Sequence, residues 1–458
     1  KQMGKGASPI QSKASACMEL AERFSFFSFK SNEKNFITGD YGQMREAGYP
    51  VLPIEYLLKS VDDQSLSGEQ LEELLRGLPL QWTWATDMSR DELVLIPFSW
   101  FFAINEFNGP SACNTIEEAL MQGISEVVER HVCSLINQYK KEVPLIDQDS
   151  ISDPVAKELI EKFNRNNIEL YLNDFSLDTG ICTVSALAID RSTFPEMSEI
   201  VFTAGTTPDP RKSGIRAVTE VAQLAGDFNT GSNYVASGLP KPLSMDEVAY
   251  LTDTEKAVSV DSLTNLANPN IKTEVESCLK SLKDIGFDVF VIDVTNPKLD
   301  IASLYTIIPG AHFRERSIRK DAGLFAAKLL YELADDQDFF NHKLETMERI
   351  LPDSYYLAFY RGIMRFNSGE FPDAIDYFDK ALGLNPEKED LPYIYSYKGH
   401  ALKDLGLYDE AIVELKNGCV LDDERPDLHN LLGFCYFKKE DFETAISCFE
   451  KAVHLNPA

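Results

Sequence analysis

"GISEVVERHVCSLI", residues 123–136, spaces Glu126 and Glu129 one helical turn apart inside a stretch that is otherwise largely apolar. A shorter echo, "CMELAERFSFF" at 17–27, repeats the pattern E-x-x-E-R with Glu19, Glu22 and Arg23. Carboxylates set among residues that favour burial need partners, because an unpaired charge is expensive to remove from water. The helix opens upstream at "NTIEEA" (114–119), where Thr115 is the N-cap and Glu118 completes a capping box. Ile116, Leu120, Ile124, Val127 and Leu135 then define one face, and Glu118, Gln122, Glu126, Glu129 and Cys133 the opposite one. A solvated face carries lysines in i,i+4 pairs with its acids. From Ile116 to Gln138 there is no lysine, and Arg130 is the only arginine. Mutually unpaired carboxylates predict an external cation, and hard divalent ions such as magnesium prefer carboxylate oxygen. A solvated acidic face and a purely structural ion-pair network are the alternatives.

Two more capped helices carry similar stripes. The first starts with Ser8 as N-cap, Pro9 at the first helical position and Gln11 reaching back. Ile10, Ala14, Cys17, Ala21 and Phe24 form its apolar face, with Ser12, Glu19, Glu22 and Arg23 on the other side. Upstream lies "GKG" (4–6), with Lys5 between two glycines where backbone approaches a ligand closely. It is not a P-loop, which requires G-x-x-x-x-G-K-[ST]. The other helix is "PDPRKSGIRAVTEVAQLAG" (208–226), with Asp209 as N-cap, Pro210 next and Gly226 as the stop. Arg216, Glu220 and Gln223 share a stripe among small and apolar residues, so this helix is expected to be buried on most sides. A metal-bound polyphosphate would satisfy such groups. Glu126, Glu129 and Glu220 are therefore expected to converge.

The totals exclude several classes. With 44 basic and 73 acidic residues among 458, the net charge is −29. That argues against a phosphate-backbone binder and against adsorption to anionic membranes, so neither nucleic acid nor membrane is an expected partner. The longest apolar run, "IPFSWFFAI" at 96–104, is too short to span a bilayer. Eight cysteines lack C-x-x-C spacing, and Cys419, Cys435 and Cys448 read as core thiols, which places the chain in a reducing cytoplasm. "KQMGKG" begins so close to a structured segment that residues further upstream are expected.

From about residue 351 the chain repeats itself. "YRGIMRFNSGEFPDAIDYFDKALGLNP" (360–386) is followed by "YKGHALKDLGLYDEAIVELKNGCVLDD" (397–423) and "LLGFCYFKKEDFETAISCFEKAVHLNP" (431–457). Gly362, Gly399 and Gly433 align, as do Phe371, Tyr408 and Phe442, and Ala374, Ala411 and Ala445, with Pro386 and Pro457 at two exits. The first step is three residues longer than the second, which predicts an insertion around "EKEDLP" (387–392). Small residues in phase with large ones resemble the tetratricopeptide repeat, a stacking helical hairpin. Tyr356, Tyr360, Tyr393, Tyr397, Asn430 and Lys438 are expected on its concave face, for a peptide or protein partner. Bracing a homodimer, or capping what precedes, is the alternative. Ahead of the repeats, strand-like runs such as "GICTVSALAID" (180–190) and "FDVFVIDVT" (287–295) alternate with helices, giving an α/β or α+β class. The expected division is 1–318, a helical connector at 319–350, and three repeats at 351–458. Within 40–110, only "LSGEQLEELLRGL" (66–78), capped by Ser67 and Gln70, reads as a clear helix.

Four blocks in order, "GKGASPIQSKASACMELAERF" (4–24), "NGPSACNTIEEALMQGISEVVERH" (108–131), "GTTPDPRKSGIRAVTEVAQ" (205–223) and "GFDVFVIDVTNPKLDIASLYTIIPGA" (286–311), resemble those of the YcaO superfamily. The resemblance implies an ATP-binding fold in which glutamates hold Mg2+ on the phosphates. It assigns Glu126, Glu129 and Glu220 to metal, with Gln223 as companion. Arg216, Lys5 and Ser12 become nucleotide contacts, as does one of Arg314, Arg316 and Arg319. Glu19 and Glu22 line the site, and no catalytic residue is assigned. It further implies activation of a peptide amide by phosphorylation: azoline formation, thioamidation, or an accessory role in ribosomal-protein methylthiolation. Where relatives carry arginines after the third-helix glutamine, this chain has Ala225, Ser232 and Asn233. A nucleotide-binding repeat adaptor with little catalysis is the alternative this opens.

Overall fold

The computed structural model describes residues 4–194, 200–225, 242, 244–313, 321–334 and 336–456. Arg314, Arg316, Arg319, Gly226, Ser232, Asn233 and Pro457 lie outside them. The chain forms two compact units, one of Lys1–Glu72 with Pro79–Ala322, the other of Glu73–Leu78 with Gly323–Ala458.

In chain order the first part runs α1 (Pro9–Lys30), β1 (Ile37–Gly39), α2 (Tyr41–Glu46), α3 (Glu55–Lys59), α4 (Gly68–Leu75), β2 (Leu80–Asp87), β3 (Glu92–Pro97), α5 (Phe98–Asn105), β4 (Pro110–Cys113) and α6 (Ile116–Tyr139). It continues with β5 (Leu145–Ile146), α7 (Pro154–Arg165), β6 (Glu169–Asp174), β7 (Thr183–Ile189), β8 (Val201–Thr206), α8 (Pro210–Ala225), α9 (Ala249–Thr252), β9 (Ala257–Val258), α10 (Ile271–Asp284), β10 (Phe290–Asp293) and β11 (Ala302–Ile307). One sheet has the order β1-β2-β10-β11-β4, with β3 paired to β2, and the other β8-β7-β6-β5-β9. Every pairing is antiparallel except β5 with β9, so this mixed α/β unit is of the α+β kind.

Burial on both sides explains the composition of the central elements. All seven residues of β7 are buried. On one face of its sheet, Leu170, Val184 and Ala186 pack with Ala217, Val218 and Val221 of α8. On the other, Leu187, Ile189 and Phe202 pack with Val132 and Ile136 of α6. Helix α6 also lies against β11, where a Cβ on Gly123 would come within 2.2 Å of Thr306 Oγ1. Two sheets thus press on α6, leaving little of it exposed. Its expected two-faced pattern fails at two points: Ile116 is exposed in the first turn, and Cys133 lies in the core.

Helix α1 corrects the expectation more sharply. Ile10, Cys17 and Phe24 of the expected core face are exposed, and only Ala21 of that face is buried. The helix packs on β4 and β11, burying Ser25 and Phe26, and Phe26 meets Tyr305 with ring centroids 5.0 Å apart. Its polar stripe therefore turns inward. The caps form where expected: Ser8 accepts from Gln11 N, and the Ser67–Gln70 box closes in both directions. At α6 the box is shifted by one residue, because Glu118 accepts from Asn114 N rather than from Thr115 N.

The second unit is helical: α11 (Ala322–Leu333) leads into it, followed by α12 (Gln337–Ile350), α13 (Tyr355–Asn367), α14 (Phe371–Gly383), α15 (Leu391–Asp404), α16 (Tyr408–Leu421), α17 (Pro426–Lys438) and α18 (Phe442–Leu455). The last six pair as three hairpins. A Cβ on Gly399 would meet Leu415 Cγ at 2.5 Å, so glycine sets how closely α15 approaches α16. The connection at 384–390 is three residues longer than that at 422–425, as the repeat spacing predicts. The expected concave-face tyrosines are instead largely engaged within the stack. Tyr356 is buried, Tyr360 lies 5.4 Å from Tyr331, and Tyr397 packs among Phe359, Phe366 and Phe378. Tyr393 is exposed but carries the Arg425 guanidinium 3.8 Å over its ring. Asn430 and Lys438 are exposed. Among the described residues no helix is long and apolar enough to cross a membrane.

Candidate functional site

Three elements of the first unit bring charge together. Helix α6 contributes Gln122, Glu126, Glu129 and Arg130, α8 contributes Arg216 and Glu220, and the segment before α1 contributes Lys5. Helix α8 reaches this position because β8 ends in small residues: a Cβ on Gly205 would sit 2.5 Å from Arg216 Cβ and 2.7 Å from Ala217 N. The next residue, Thr206, donates its backbone N–H to Glu129 Oε2 at 3.2 Å, fixing that buried carboxylate from the strand side. Arg216 Nη1 donates to Gln122 Oε1 at 2.7 Å and ties α8 to α6.

Lys5 forms an ion pair with Glu220. Burial, with Arg216 beside it, lowers the Lys5 ammonium to about 8, while Glu129 and Glu126 oppose the shift. The field at one atom thus records charges from both helices. Burial also raises the Glu126 carboxyl, an effect Arg130 opposes and Glu129 reinforces. Glu22, turned inward by α1, is raised well above the ordinary range by burial and then by Glu126. Three elements therefore crowd carboxylates into a space where the protein alone only partly stabilises their charge.

Of the residues expected from the sequence, Lys5, Glu126, Glu129, Arg216 and Glu220 meet here. Gln223 is half-buried one turn beyond Glu220 on α8. Ser12 is turned to its own loop, its hydroxyl donating to the Gly6 carbonyl at 3.5 Å. Arg314 lies outside the described residues. Three contributors were not assigned a role from the sequence: the Thr206 amide, which has no side-chain signature, Gln122, placed only on the polar stripe of α6, and Arg130, whose signal is its place in E-x-x-E-R.

The donor set suits Mg2+ and a polyphosphate. Its carboxylate oxygens are hard donors of the kind Mg2+ prefers. Arg216 Nε is buried with no hydrogen-bond acceptor among the described residues, so it points to an anion. A separate group, Cys419, Asp423 and His429, also brings potential ligands within 4.8 Å of one another. There Lys451 already pairs with Asp423, and His429 Nε2 lies 2.8 Å from the Asp423 carbonyl, which closes the turn between α16 and α17.

Residues 3–312 match the family described as YcaO cyclodehydratase, ATP- and Mg2+-binding, and residues 399–439 and 426–458 match tetratricopeptide families. An uncharacterized protein of Methanothermobacter thermautotrophicus is 26% identical over 329 residues, covering 67% of this chain and 80% of that one. The ribosomal protein S12 methylthiotransferase accessory factor YcaO of Escherichia coli is 30% identical over 151 residues, 33% of this chain and 24% of that one. Among solved structures, a heterocyclase in complex with substrate and cofactor superposes with a TM-score of 0.56 at 22% identity, over 68% of this chain and 46% of the heterocyclase. YcaO from Methanopyrus kandleri, bound with AMPPCP and Mg2+, gives 0.51 at 24% identity, over 67% and 78%. The chain thus spans less than half of the heterocyclase, and at these identities the structural likeness establishes the fold.

Proposed function

The chain belongs to the YcaO family, whose cofactors are ATP and Mg2+, and from that premise we propose that it activates a peptide-backbone amide with ATP. The observation that carries this reading is the Lys5–Glu220 ion pair set against Glu126, Glu129 and Arg216. In this proposal Glu126, Glu129 and Glu220 hold Mg2+, and Lys5 and Arg216 meet the phosphates. Ser12, Gln223 and one of Arg314, Arg316 and Arg319 complete the nucleotide contacts.

Mg2+ and ATP, when bound, supply a phosphoryl group that turns the amide oxygen into a competent leaving group. The chain's own residues prepare the site. The Thr206 amide holds Glu129, and Gln122 holds Arg216, so both are oriented before a ligand arrives. Exchange of Glu220 for phosphate would leave Lys5 beside an anion and free the glutamate for metal. Loss of the phosphorylated oxygen, on attack by a Cys, Ser or Thr side chain or by sulfide, would give an azoline or a thioamide. An accessory role in methylthiolation is the variant that the Escherichia coli relative's name suggests. The repeats, a class of protein-interaction module, would bring in the peptide or protein substrate, and self-association into a homodimer is compatible with this. A reducing cytoplasm suits a chain whose eight cysteines are all free.

Ala225, Ser232 and Asn233, in a stretch where the family resemblance implies arginines, favour a second reading as a nucleotide-binding adaptor. Calorimetry with AMPPCP and Mg2+, followed by ATP turnover with and without cell extract, separates the two. Metal-dependent binding with extract-stimulated turnover supports amide activation. Binding without turnover supports the adaptor, and absence of binding refutes both.

A further inference from the structure

The stacked hairpins carry an internal comparison at the junction between one repeat and the next. With Gly362, Gly399 and Gly433 in register, Leu382, Cys419 and Val453 correspond, and so do Pro386, Asp423 and Pro457. On the helix that follows each junction, Tyr395 corresponds to His429. The first junction therefore carries Leu382, Pro386 and Tyr395, and Leu382 packs into the apolar cluster that contains Ile394 of α15. At the second junction all three positions change together, to a thiol, a carboxylate and an imidazole. Each is a metal-binding group.

In the folded chain the three meet where α16 turns into α17. Cys419 Sγ, an Asp423 carboxylate oxygen and a His429 ring nitrogen all lie within 4.8 Å of one another. His429 Nε2 stands 3.2 Å from Asp423 Oδ1. Nitrogen and oxygen ligands of a tetrahedral Zn2+ lie about 3.3 Å apart, so this pair already has the spacing of one coordination edge. Lys451 pairs with Oδ2, the other carboxylate oxygen, which leaves Oδ1 on the imidazole side. His429 is buried and Cys419 half-buried, whereas Asp423 is exposed, so an ion has a path in from solvent and a water can complete its coordination. The bonds that close this turn engage Asp423 and His429, and none of them needs a thiol.

We propose that Cys419, Asp423 and His429 form a Zn2+ site that ties α16 to α17, with water as the fourth ligand. On binding, Cys419 Sγ loses its proton to solvent and bonds to the metal, and Asp423 Oδ1 bonds as carboxylate. His429 Nε2 gives up its hydrogen bond to the Asp423 carbonyl, and the ring's one proton moves to Nδ1 as Nε2 takes the ion. Thiolate and carboxylate balance the two charges of the metal. Mg2+ is a poor substitute, because it prefers oxygen throughout. This holds whether or not the first unit activates amides.

The probe is Co2+, a spectroscopic stand-in for Zn2+, added to the chelator-treated full chain in a phosphine reductant. A single ion per chain should give sulfur-to-cobalt charge transfer and the visible bands of a four-coordinate site, and Zn2+ should abolish both. Cys419→Ser should remove the charge-transfer band, and Asp423→Asn should weaken Co2+ and Zn2+ binding at least tenfold. Asp423 is exposed, so Asp423→Asn should keep its circular dichroism and melting without metal. Cys448→Ser, at a neighbouring thiol of the same cluster, should leave the spectrum unchanged. Zn2+ should slow amide exchange in α16 and α17 of the parent chain and not of Asp423→Asn. Absence of a sulfur-to-cobalt band overturns the proposal, as does a band that survives Cys419→Ser or disappears with Cys448→Ser. Binding without that band places the ion on oxygen ligands, such as the carboxylates of the first unit, and overturns it as well.

Discussion

The two units break the ordinary burial pattern in opposite directions. The first draws charge inward, with Glu126, Glu129, Arg216 and Lys5 gathered where α6 and α8 meet. The second leaves apolar side chains outward on α18. Buried polar groups and exposed apolar stripes are the informative departures, since each leaves a solvation requirement for something else to meet. They differ in how far the chain meets that requirement itself. In the first unit Lys5 answers Glu220 and a strand amide answers Glu129, so the site is held in shape before any ligand arrives. On α18 the answer is recorded one and two repeats earlier, where helices of the same chain cover the equivalent stripe.

The largest expected effect tests the inward charge. Glu129→Gln keeps volume and removes charge, so affinity for Mg2+ with AMPPCP should fall at least about 100-fold, roughly 2.8 kcal/mol. Titration calorimetry measures this, and circular dichroism should report an intact fold. Unchanged binding with a gain in stability would mean the carboxylate is surplus, and the comparison between the units would collapse.

The next effect is a pH dependence confined to the first unit. His131 follows Arg130 on α6, is buried, and accepts the backbone N–H of His312 at Nδ1 (3.1 Å). Burial, with His312 nearby, depresses it to about 3 from an ordinary value of 6.5. A depressed folded-state value means that the unfolded chain binds the proton first. This group's contribution is therefore present above pH 6.5 and is lost as pH falls from there toward 3. Between pH 6.5 and 5 that amounts to on the order of 1–2 kcal/mol. Urea unfolding followed by first-unit tryptophan fluorescence should show it, and His131→Asn should flatten the slope. Parallel slopes for the two proteins would show that His131 titrates normally.

Much of this was legible, for local reasons. The caps of α1, α4 and α8 and the Gly and Ala phase of the repeats are short-range signals, and the missing lysines on α6 foretold crowded carboxylates. The stretch 40–110 was not legible, because β2 and β3 form a hairpin whose other neighbours include β10, about two hundred residues away. Helix α1 misled because amphipathic patterning assumes that the apolar side faces the core. Here the inward side carries polar groups, and Ile10, Leu20, Phe24 and Phe27 remain exposed. A different assumption, that the first helix of each repeat lines an open concave face, placed Tyr356 and Tyr397 on a recognition surface when they pack within the stack.

A smaller effect separates repeat packing from nucleotide binding. Gly399→Ala gains helix propensity of up to about 1 kcal/mol but drives a methyl group into Leu415. The net result should be a loss of about 1 kcal/mol in the second unit, seen as faster amide exchange in α15 and α16. AMPPCP affinity should be unchanged. A matching loss of nucleotide binding would show that the two requirements are not independent.

The smallest expected effect is on α18. Phe442→Ser with Val453→Ser removes apolar surface that is already more than half in water, so little burial is forfeited, and the changes fall at exposed positions. Stability should move by less than about 0.5 kcal/mol, against the 2–5 kcal/mol typical of truncating a packed leucine or isoleucine in a core. A loss in that larger range, measured by urea titration of the full chain, would mean that these side chains already pack against something in the free protein. The outward departure would then be an internal contact, and of the two departures only the inward charge of the first unit would still call for a ligand.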